Sequence, residues 1–218
     1  MKQKYGIFDM DGTLVDSMGY WRQLGVEYLH SKGVTEIPPD MLRMLRPMTL
    51  AQSTTLFADA FHLPDTPEEI LAEMNDLMAV HYGQDVLLKD GIVEYLDELQ
   101  RRGVALCVAS ATDKPLIELC LERLGILDRF AFLLSCEEVG YGKDRPDIYN
   151  IAVSRLGGTP SETVVYEDAP YAIRTAKNAG YRVAAIYDEG VSEARWAEMA
   201  VLADYRLEHW SQALDLIL

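Results

Sequence analysis

The 218-residue chain is acidic, with 35 Asp and Glu against 20 Lys and Arg and a formal net charge of −15. The basic residues form no run or stripe, so nucleic acid and anionic membranes are disfavoured as partners, because both are bound mainly through cationic patches. No apolar run approaches the roughly 20 residues of a membrane span, and the start of the chain reaches acidic residues too early for a signal peptide. We therefore expect a cytoplasmic globular protein whose three cysteines are reduced packing residues.

In chain order, the pattern begins with a strand and later alternates between helix and strand. Tyr5–Phe8 has the length and bulk of a buried strand, Met18–Lys32 is an amphipathic helix, and residues 38–82 hold further helical stretches broken by prolines. From residue 90 onward, helices alternate with strands predicted at Val104–Ala109, Phe132–Leu134, Thr163–Tyr166 and Val183–Ile186. Such alternation is typical of right-handed βαβ units in a parallel, doubly wound sheet.

The first strand is expected to join the same sheet, which makes the fold class α/β with a helical insertion. Residues 1–15 and 89–218 are predicted to form a Rossmannoid core around the doubly wound parallel sheet. Residues 16–88 are predicted to form an all-helical cap inserted after the first strand, and residues 205–218 to add a short strand or turn and a closing helix.

Polar side chains follow the carboxyl ends of the predicted strands. They are Asp9 and Asp11 after the first strand, Ser110 and Thr112 after the second, Lys143 in the loop after the third, and Glu167 and Asp168 after the fourth. In an open parallel sheet these ends meet at one edge, where ligands bind. Four carboxylates at one edge repel one another unless a cation lies among them, and an all-oxygen set favours Mg²⁺ over zinc or copper.

The same edge carries groups suited to a tetrahedral anion. Lys143 supplies a fixed positive charge and Ser110 a hydroxyl donor. Together with the paired acids and a set of metal ligands, they are the groups that phosphoryl transfer through an aspartyl-phosphate requires. Taken singly, each residue has a simpler interpretation: Ser110 as a turn residue, Lys143 as a solvated surface lysine, and Glu167 with Asp168 as a helix cap.

The four motifs together closely resemble those of the haloacid dehalogenase superfamily of hydrolases. The similar branch has a small helical cap after strand one and includes beta-phosphoglucomutase-like and phosphoglycolate-phosphatase-like proteins. The matching segments are DMDGT at residues 9–13, Ser110 at a strand end, Lys143 in GKDRPDIY, and Glu167-Asp168 in VVYEDAPYAI. The resemblance covers nearly the whole chain.

The resemblance implies a role for each of these residues. Asp9 would be the nucleophile, and Asp11 would protonate the leaving group and then activate water. Ser110 and Lys143 would hold the transferring phosphoryl group. The implied Mg²⁺ ligands are Asp9, the backbone carbonyl of Asp11, Asp168 and, directly or through water, Glu167.

Departures from the family pattern narrow the expected reaction. Members that cleave carbon–halogen or phosphorus–carbon bonds lack the second acid, whereas Asp11 is present here. True beta-phosphoglucomutases carry a His twelve residues after the nucleophile, and that position is Trp21 in this chain. Simple hydrolysis is therefore favoured over mutase activity. Asp144 stands where the third motif usually has Pro, and an extra acid beside Lys143 could weaken phosphate affinity.

Substrate specificity is expected to come from the cap, which would close over the site and exclude water. Arg46 resembles a cap arginine that some relatives direct at the substrate, with a solvated surface arginine as the alternative. Trp21 and Thr13 are the further candidates for substrate contacts.

These observations predict a Mg²⁺-dependent phosphatase, a phosphoric monoester hydrolase acting on a small phosphorylated metabolite, with a sugar phosphate as one candidate. The alternative within enzymes is a beta-phosphoglucomutase-like phosphomutase. The alternative from another class is a non-catalytic protein that binds phosphorylated ligands, which would have no need for paired acids. We expect a monomer or weak dimer.

Overall fold

A computed structural model describes residues 3–41 and 50–216. The strands in these ranges are β1 Tyr5–Phe8, β2 Ala105–Ser110, β3 Leu133–Ser135, β4 Thr163–Glu167, β5 Arg182–Ile186 and β6 Tyr205–Leu207. They form one sheet in the order β3-β2-β1-β4-β5-β6, and every neighbouring pair is parallel. The prediction of a parallel α/β fold is confirmed, and the ends of the predicted strands differ from the observed ones by one residue or less.

The helices fall into two groups along the chain. The first group comprises α1 Met18–Ser31, α2 Leu50–Phe61 and α3 Pro67–Gln84. The second comprises α4 Ile92–Arg101, α5 Lys114–Arg123, α6 Cys136–Val139, α7 Asp147–Arg155, α8 Pro170–Asn178, α9 Glu193–Leu202 and α10 Ala213–Leu216. The short helix α6 was not predicted. Its N-cap is Ser135, whose hydroxyl accepts the backbone N–H of Glu138 while the Glu138 carboxylate accepts the N–H of Ser135.

The chain divides into two compact units. The sheet unit comprises Met1–Ser17 and Val86–Leu218, and the helical unit comprises Met18–Asp85. The corresponding predicted ranges were 1–15 with 89–218, and 16–88. The two segments that join the units are paired within the sheet unit, because Asp16 N–H donates to the Leu87 carbonyl and Lys89 N–H to the Leu14 carbonyl, each at 2.9 Å.

In the sheet unit, apolar side chains cover both faces of the sheet, which explains why the strands read as continuous apolar runs. Alternate residues of β1 show the division. Ile7 belongs to a buried cluster with side chains of the neighbouring strands, α7 and α8. Phe8 stacks on Tyr166 with ring centroids 4.1 Å apart, and Trp210 packs on both rings. Side chains therefore pack against both faces of the sheet.

The helical unit has a core of its own. Its largest buried side chains include Tyr28 of α1 and Phe57 of α2, whose ring centroids are 6.1 Å apart. Helix α3 starts with a capping box, in which Thr66 and Glu69 satisfy each other's backbone N–H groups. Within the described residues, no helix combines the length and apolar character needed to cross a bilayer. The three cysteines are free thiols, as expected.

Candidate active site

Strand β1 brings Asp9 to the carboxyl edge of the sheet. Its pairing with β4 runs to Phe8 and Tyr166, and the Asp9 N–H then donates to the Tyr166 carbonyl at 3.0 Å. This register places Asp9 level with Glu167 on the neighbouring strand. The chain then turns at Gly12, whose φ of 74° favours glycine. Asp9 is consequently fixed by backbone pairing and is only 6% exposed.

Lys143 reaches this position from the loop between α6 and α7, and its ammonium lies between two carboxylates. Nζ donates to Oδ1 of Asp9 and, at 2.6 Å, to Oε1 of Glu167. Burial disfavours the charged ammonium, but the attraction of Asp9 and Glu167 outweighs burial and raises the pKa of Lys143. Lys143 therefore keeps its positive charge at neutral pH, and the interpretation of it as a solvated surface lysine is wrong.

Asp9, Glu167 and Asp168 form an acidic cluster around this ammonium. One carboxylate oxygen from each lies within 4.8 Å of the others. Burial raises the pKa of Asp9 to about 8, with Lys143 opposing the shift and Glu167 and Asp11 adding to it. Burial, followed by repulsion from Asp9 and Glu167, likewise raises the pKa of Asp168. The upward shifts in pKa show that a single ammonium does not offset the cost of ionising all of these buried carboxyls.

This donor set fits a hard divalent cation. All three side chains offer carboxylate oxygens, which are the ligands that Mg²⁺ prefers. Ionising all three against one lysine leaves an excess of negative charge that a divalent ion would balance. Three of the four predicted metal-ligand residues therefore lie together by their side chains. The fourth, Asp11, was expected to contribute its backbone carbonyl.

The Asp11 carboxylate has a different environment from that of Asp9. Its Oδ1 accepts a hydrogen bond from Ser17 Oγ at 2.5 Å, and its Oδ2 accepts one from Thr112 Oγ1 at 2.6 Å. Two neutral hydroxyls thus orient this acid, whereas an ammonium faces Asp9. Ser110 ends β2 and is 1% exposed, and its Oγ accepts the Thr112 N–H at 3.1 Å.

The three further residues predicted to contact the substrate, Thr13, Trp21 and Arg46, lie in different parts of the chain. Thr13 is fully buried, and among the described residues its Oγ1 finds no hydrogen-bond partner. Its carbonyl accepts the indole N–H of Trp210 at 3.2 Å. Trp21 is half-buried in the helical unit, where its indole N–H donates to Tyr82 at 3.1 Å. Arg46 lies outside the described residues. The substrate roles of Thr13, Trp21 and Arg46 stay predictions.

Several polar contacts at the site were not predicted. Tyr149 donates to Glu167 at 2.9 Å, and Ser17 donates to Asp11. Asp188, 6% exposed after β5, accepts Lys89 Nζ at 3.0 Å. The position of Asp188 just past a strand end was the one signal in the sequence that could have drawn attention to it.

The family model for haloacid dehalogenase-like hydrolases matches residues 6–186, which is most of the chain. The chain belongs to the haloacid dehalogenase-like hydrolase family. Validoxylamine A 7'-phosphate phosphatase of Streptomyces hygroscopicus subsp. limoneus is 31% identical over 207 residues, covering 94% of this chain and 93% of that protein. The predicted family is thereby confirmed.

Two further proteins are similar over most of their length. The phosphorylated carbohydrates phosphatase of Thermotoga maritima is 25% identical over 178 residues, which is 80% of each chain. The crystal structure of CbbY from Rhodobacter sphaeroides in complex with phosphate shares the fold with a TM-score of 0.78 and 24% identity, covering 99% of this chain and all of that one. The predicted enzyme class, a phosphoric monoester hydrolase of this family, is confirmed.

Proposed function

We propose that the protein hydrolyses a phosphorylated small carbohydrate through an aspartyl-phosphate formed on Asp9, as a Mg²⁺-dependent enzyme that is a monomer or weak dimer. The observation that carries this proposal is the arrangement at the sheet edge. The buried carboxylate of Asp9 contacts the Lys143 ammonium and lies close to two more acids, Glu167 and Asp168. Asp11, two residues after Asp9, is oriented separately by hydroxyl groups. This arrangement is costly to fold and well suited to phosphoryl transfer.

In the first step a carboxylate oxygen of Asp9 attacks the phosphorus atom, and the bond from phosphorus to the ester oxygen breaks. Asp11 gives its proton to the departing oxygen, so the product alcohol leaves neutral. The Lys143 ammonium and the Ser110 hydroxyl bind the phosphoryl oxygens as charge moves onto them. The different partners of Asp9 and Asp11 support this division of roles, because Lys143 contacts the carboxylate that would attack phosphorus, whereas two hydroxyls orient the acid that would serve the departing oxygen.

In the second step Asp11, now ionised, takes a proton from a water molecule whose oxygen attacks the phosphorus. The bond between phosphorus and the Asp9 oxygen breaks, which releases inorganic phosphate and restores both acids. Ser17 and Thr112 keep the Asp11 carboxylate oriented through both steps, because each holds one of its oxygens.

Asp9, Glu167, Asp168 and the backbone carbonyl of Asp11 would hold Mg²⁺. When bound, the ion supplies positive charge to the phosphoryl oxygens and to the crowded carboxylates. Lys143 offsets part of the negative charge of Asp9 and Glu167, which would help the phosphoryl dianion to approach an otherwise acidic site.

The proposed substrate class is supported by the two named relatives, one a phosphatase of validoxylamine A 7'-phosphate and the other of phosphorylated carbohydrates. Trp21 stands where a mutase of the family would have His, which favours transfer of the phosphoryl group to water. The helical unit, as the cap, would supply the contacts to the carbohydrate, with Arg46 and Trp21 as the candidates.

The proposal is tested by phosphate release from a panel of hexose, pentose and alditol monophosphates with Mg²⁺, comparing the wild type with Asp9→Asn. We expect hydrolysis by the wild type and a loss of at least about 1000-fold in the variant. Equal rates for both proteins on every substrate would refute hydrolysis at Asp9. Activation by a sugar bisphosphate with recovery of an isomeric monophosphate would instead indicate a mutase.

A further inference from the structure

The hydroxyl group of Tyr149 makes a hydrogen bond that is not needed for the ring to pack in the core. The residue is fully buried on α7, and its ring packs against that of Tyr181 with centroids 6.0 Å apart. A phenylalanine would fill the same space. The hydroxyl, however, donates to Oε1 of Glu167 at 2.9 Å, which ties the helix after the Lys143 loop to the end of β4.

The same oxygen of Glu167 receives a second donor. Lys143 Nζ lies 2.6 Å from Oε1, so two donors from different parts of the chain fix one oxygen of a carboxylate that is 1% exposed. Across residues 3–41 and 50–216, no donor is bonded to the other oxygen, Oε2. A carboxylate held by two bonds at one oxygen cannot rotate without breaking both.

We propose that Tyr149 is a positioning residue, which orients Glu167 so that Oε2 is presented to the divalent cation shared with Asp9 and Asp168. This inference rests on the proposed function, since it assigns a role within the same metal site. Hydrogen bonds to a ligating carboxylate fix its direction before the ion arrives, and losing one typically weakens metal binding 10-fold to 100-fold.

Lys143 alone would hold Glu167 less well. Its ammonium also donates to Asp9 and is expected to meet the phosphoryl group, so its position depends on the occupant of the site. Tyr149 contacts Glu167 and no other member of the acidic cluster in the described hydrogen bonds. The tyrosine thus gives Glu167 a partner that does not change between the steps of the reaction.

The test is a calorimetric titration of the substrate-free protein with MgCl₂, comparing the wild type, Tyr149→Phe and Tyr181→Phe. Tyr181 is the matched control, because it is also buried in this core and its hydroxyl donates to Asn150 at 3.0 Å, away from the carboxylates. We expect Mg²⁺ affinity to fall about tenfold in Tyr149→Phe. In Tyr181→Phe it should stay within about twofold of the wild type, because no metal ligand loses a bond.

A structural effect is separated from positioning by repeating both measurements in a Glu167→Gln background. If Tyr149 acts through the Glu167 carboxylate, Tyr149→Phe should change Mg²⁺ affinity by less than about twofold there. A tenfold loss that persists in that background, or an equal loss in Tyr181→Phe, would show a general disturbance and overturn the inference. Unchanged Mg²⁺ affinity in Tyr149→Phe would overturn the inference alone, whereas a wild type that binds no Mg²⁺ would overturn the proposed metal site with it.

Discussion

Each of the two compact units places a lysine between two carboxylates, and the two clusters differ mainly in burial. In the sheet unit, Lys143 lies between Asp9 and Glu167, with side chains 3%, 8% and 1% exposed. In the helical unit, Lys32 lies 3.0 Å from Asp65 and 2.7 Å from Glu73, with corresponding values of 23%, 22% and 45%. The charges are alike, but water can solvate only the second cluster.

The difference indicates what each cluster does. Solvated ion pairs cost little to form and contribute little, typically up to about 1 kcal/mol. A buried lysine with two carboxylates has lost most of its hydration, and apolar side chains would often be at least as stable in its place. The sheet edge adds Asp168, an acid that increases the repulsion. This excess of buried charge supports the proposed roles of the cluster in phosphoryl transfer and metal binding, because stability alone does not favour it.

The strongest test of this contrast is Lys143→Met. Removing the ammonium leaves Asp9 and Glu167 buried without their main counter-charge, so we expect the free energy of unfolding in metal-free buffer to fall by about 3 to 5 kcal/mol. Phosphatase activity should be lost as well. Urea unfolding with and without Mg²⁺ measures the effect, and Mg²⁺ should recover part of the stability. A loss below about 1 kcal/mol in metal-free buffer would mean that the buried charges are less coupled than their distances imply.

Strand ends were predictable because their signals are local. Asp9 follows an apolar run, and Glu167 and Asp168 come at the end of another, so the parallel topology alone brings them to one edge. Backbone pairing sets Phe8 level with Tyr166, and therefore Asp9 level with Glu167. The predicted ends of these two strands, Phe8 and Tyr166, already indicated this register.

Contacts between side chains on different elements were not predictable in the same way. Thr112 bonds to Asp11, which is 101 residues away in the sequence. Tyr149 bonds to Glu167, 18 residues away, and this contact depends on how helix α7 is rotated about its axis. Trp21 shows the same limit, since its indole N–H meets Tyr82, 61 residues away. These contacts depend on how side chains from different elements pack, and a short sequence motif carries no information about that packing.

A third cluster, centred on His81, contributes a stability that depends on pH. In the helical unit, His81 is 15% exposed, with Nε2 2.8 Å from Glu27 and Nδ1 2.9 Å from Asp85, and its ring packs on Tyr20. Burial disfavours the charged ring, but Glu27 and Asp85 outweigh it and raise the pKa of His81 above 6.5. The charged ring therefore stabilises the folded state below pH 6.5, and this contribution is lost as the pH rises through the folded-state pKa.

The corresponding variant is His81→Gln. We expect it to be less stable than the wild type by about 1 kcal/mol or less at pH 5.5, with the difference shrinking above neutral pH. Thermal unfolding across this pH range measures the difference, and an NMR titration of the imidazole measures the pKa directly. His30, exposed on α1, provides the control variant His30→Gln, which also replaces a histidine of the helical unit. A difference that grows as the pH rises would contradict the assigned charge state.

The smallest effect is expected for Lys32→Met, the counterpart of the Lys143 variant. Water can solvate Asp65 and Glu73 once the ammonium is gone, so the melting temperature should change by less than about 3 °C. Because surface charges are screened by salt, the change should diminish further at 1 M NaCl, where the Debye length is about 3 Å. Thermal unfolding at low and high salt measures both quantities. If Lys32→Met destabilised the protein as much as Lys143→Met does, burial would not be what distinguishes the two clusters, and the assignment of the sheet-edge charges to catalysis would lose its energetic basis.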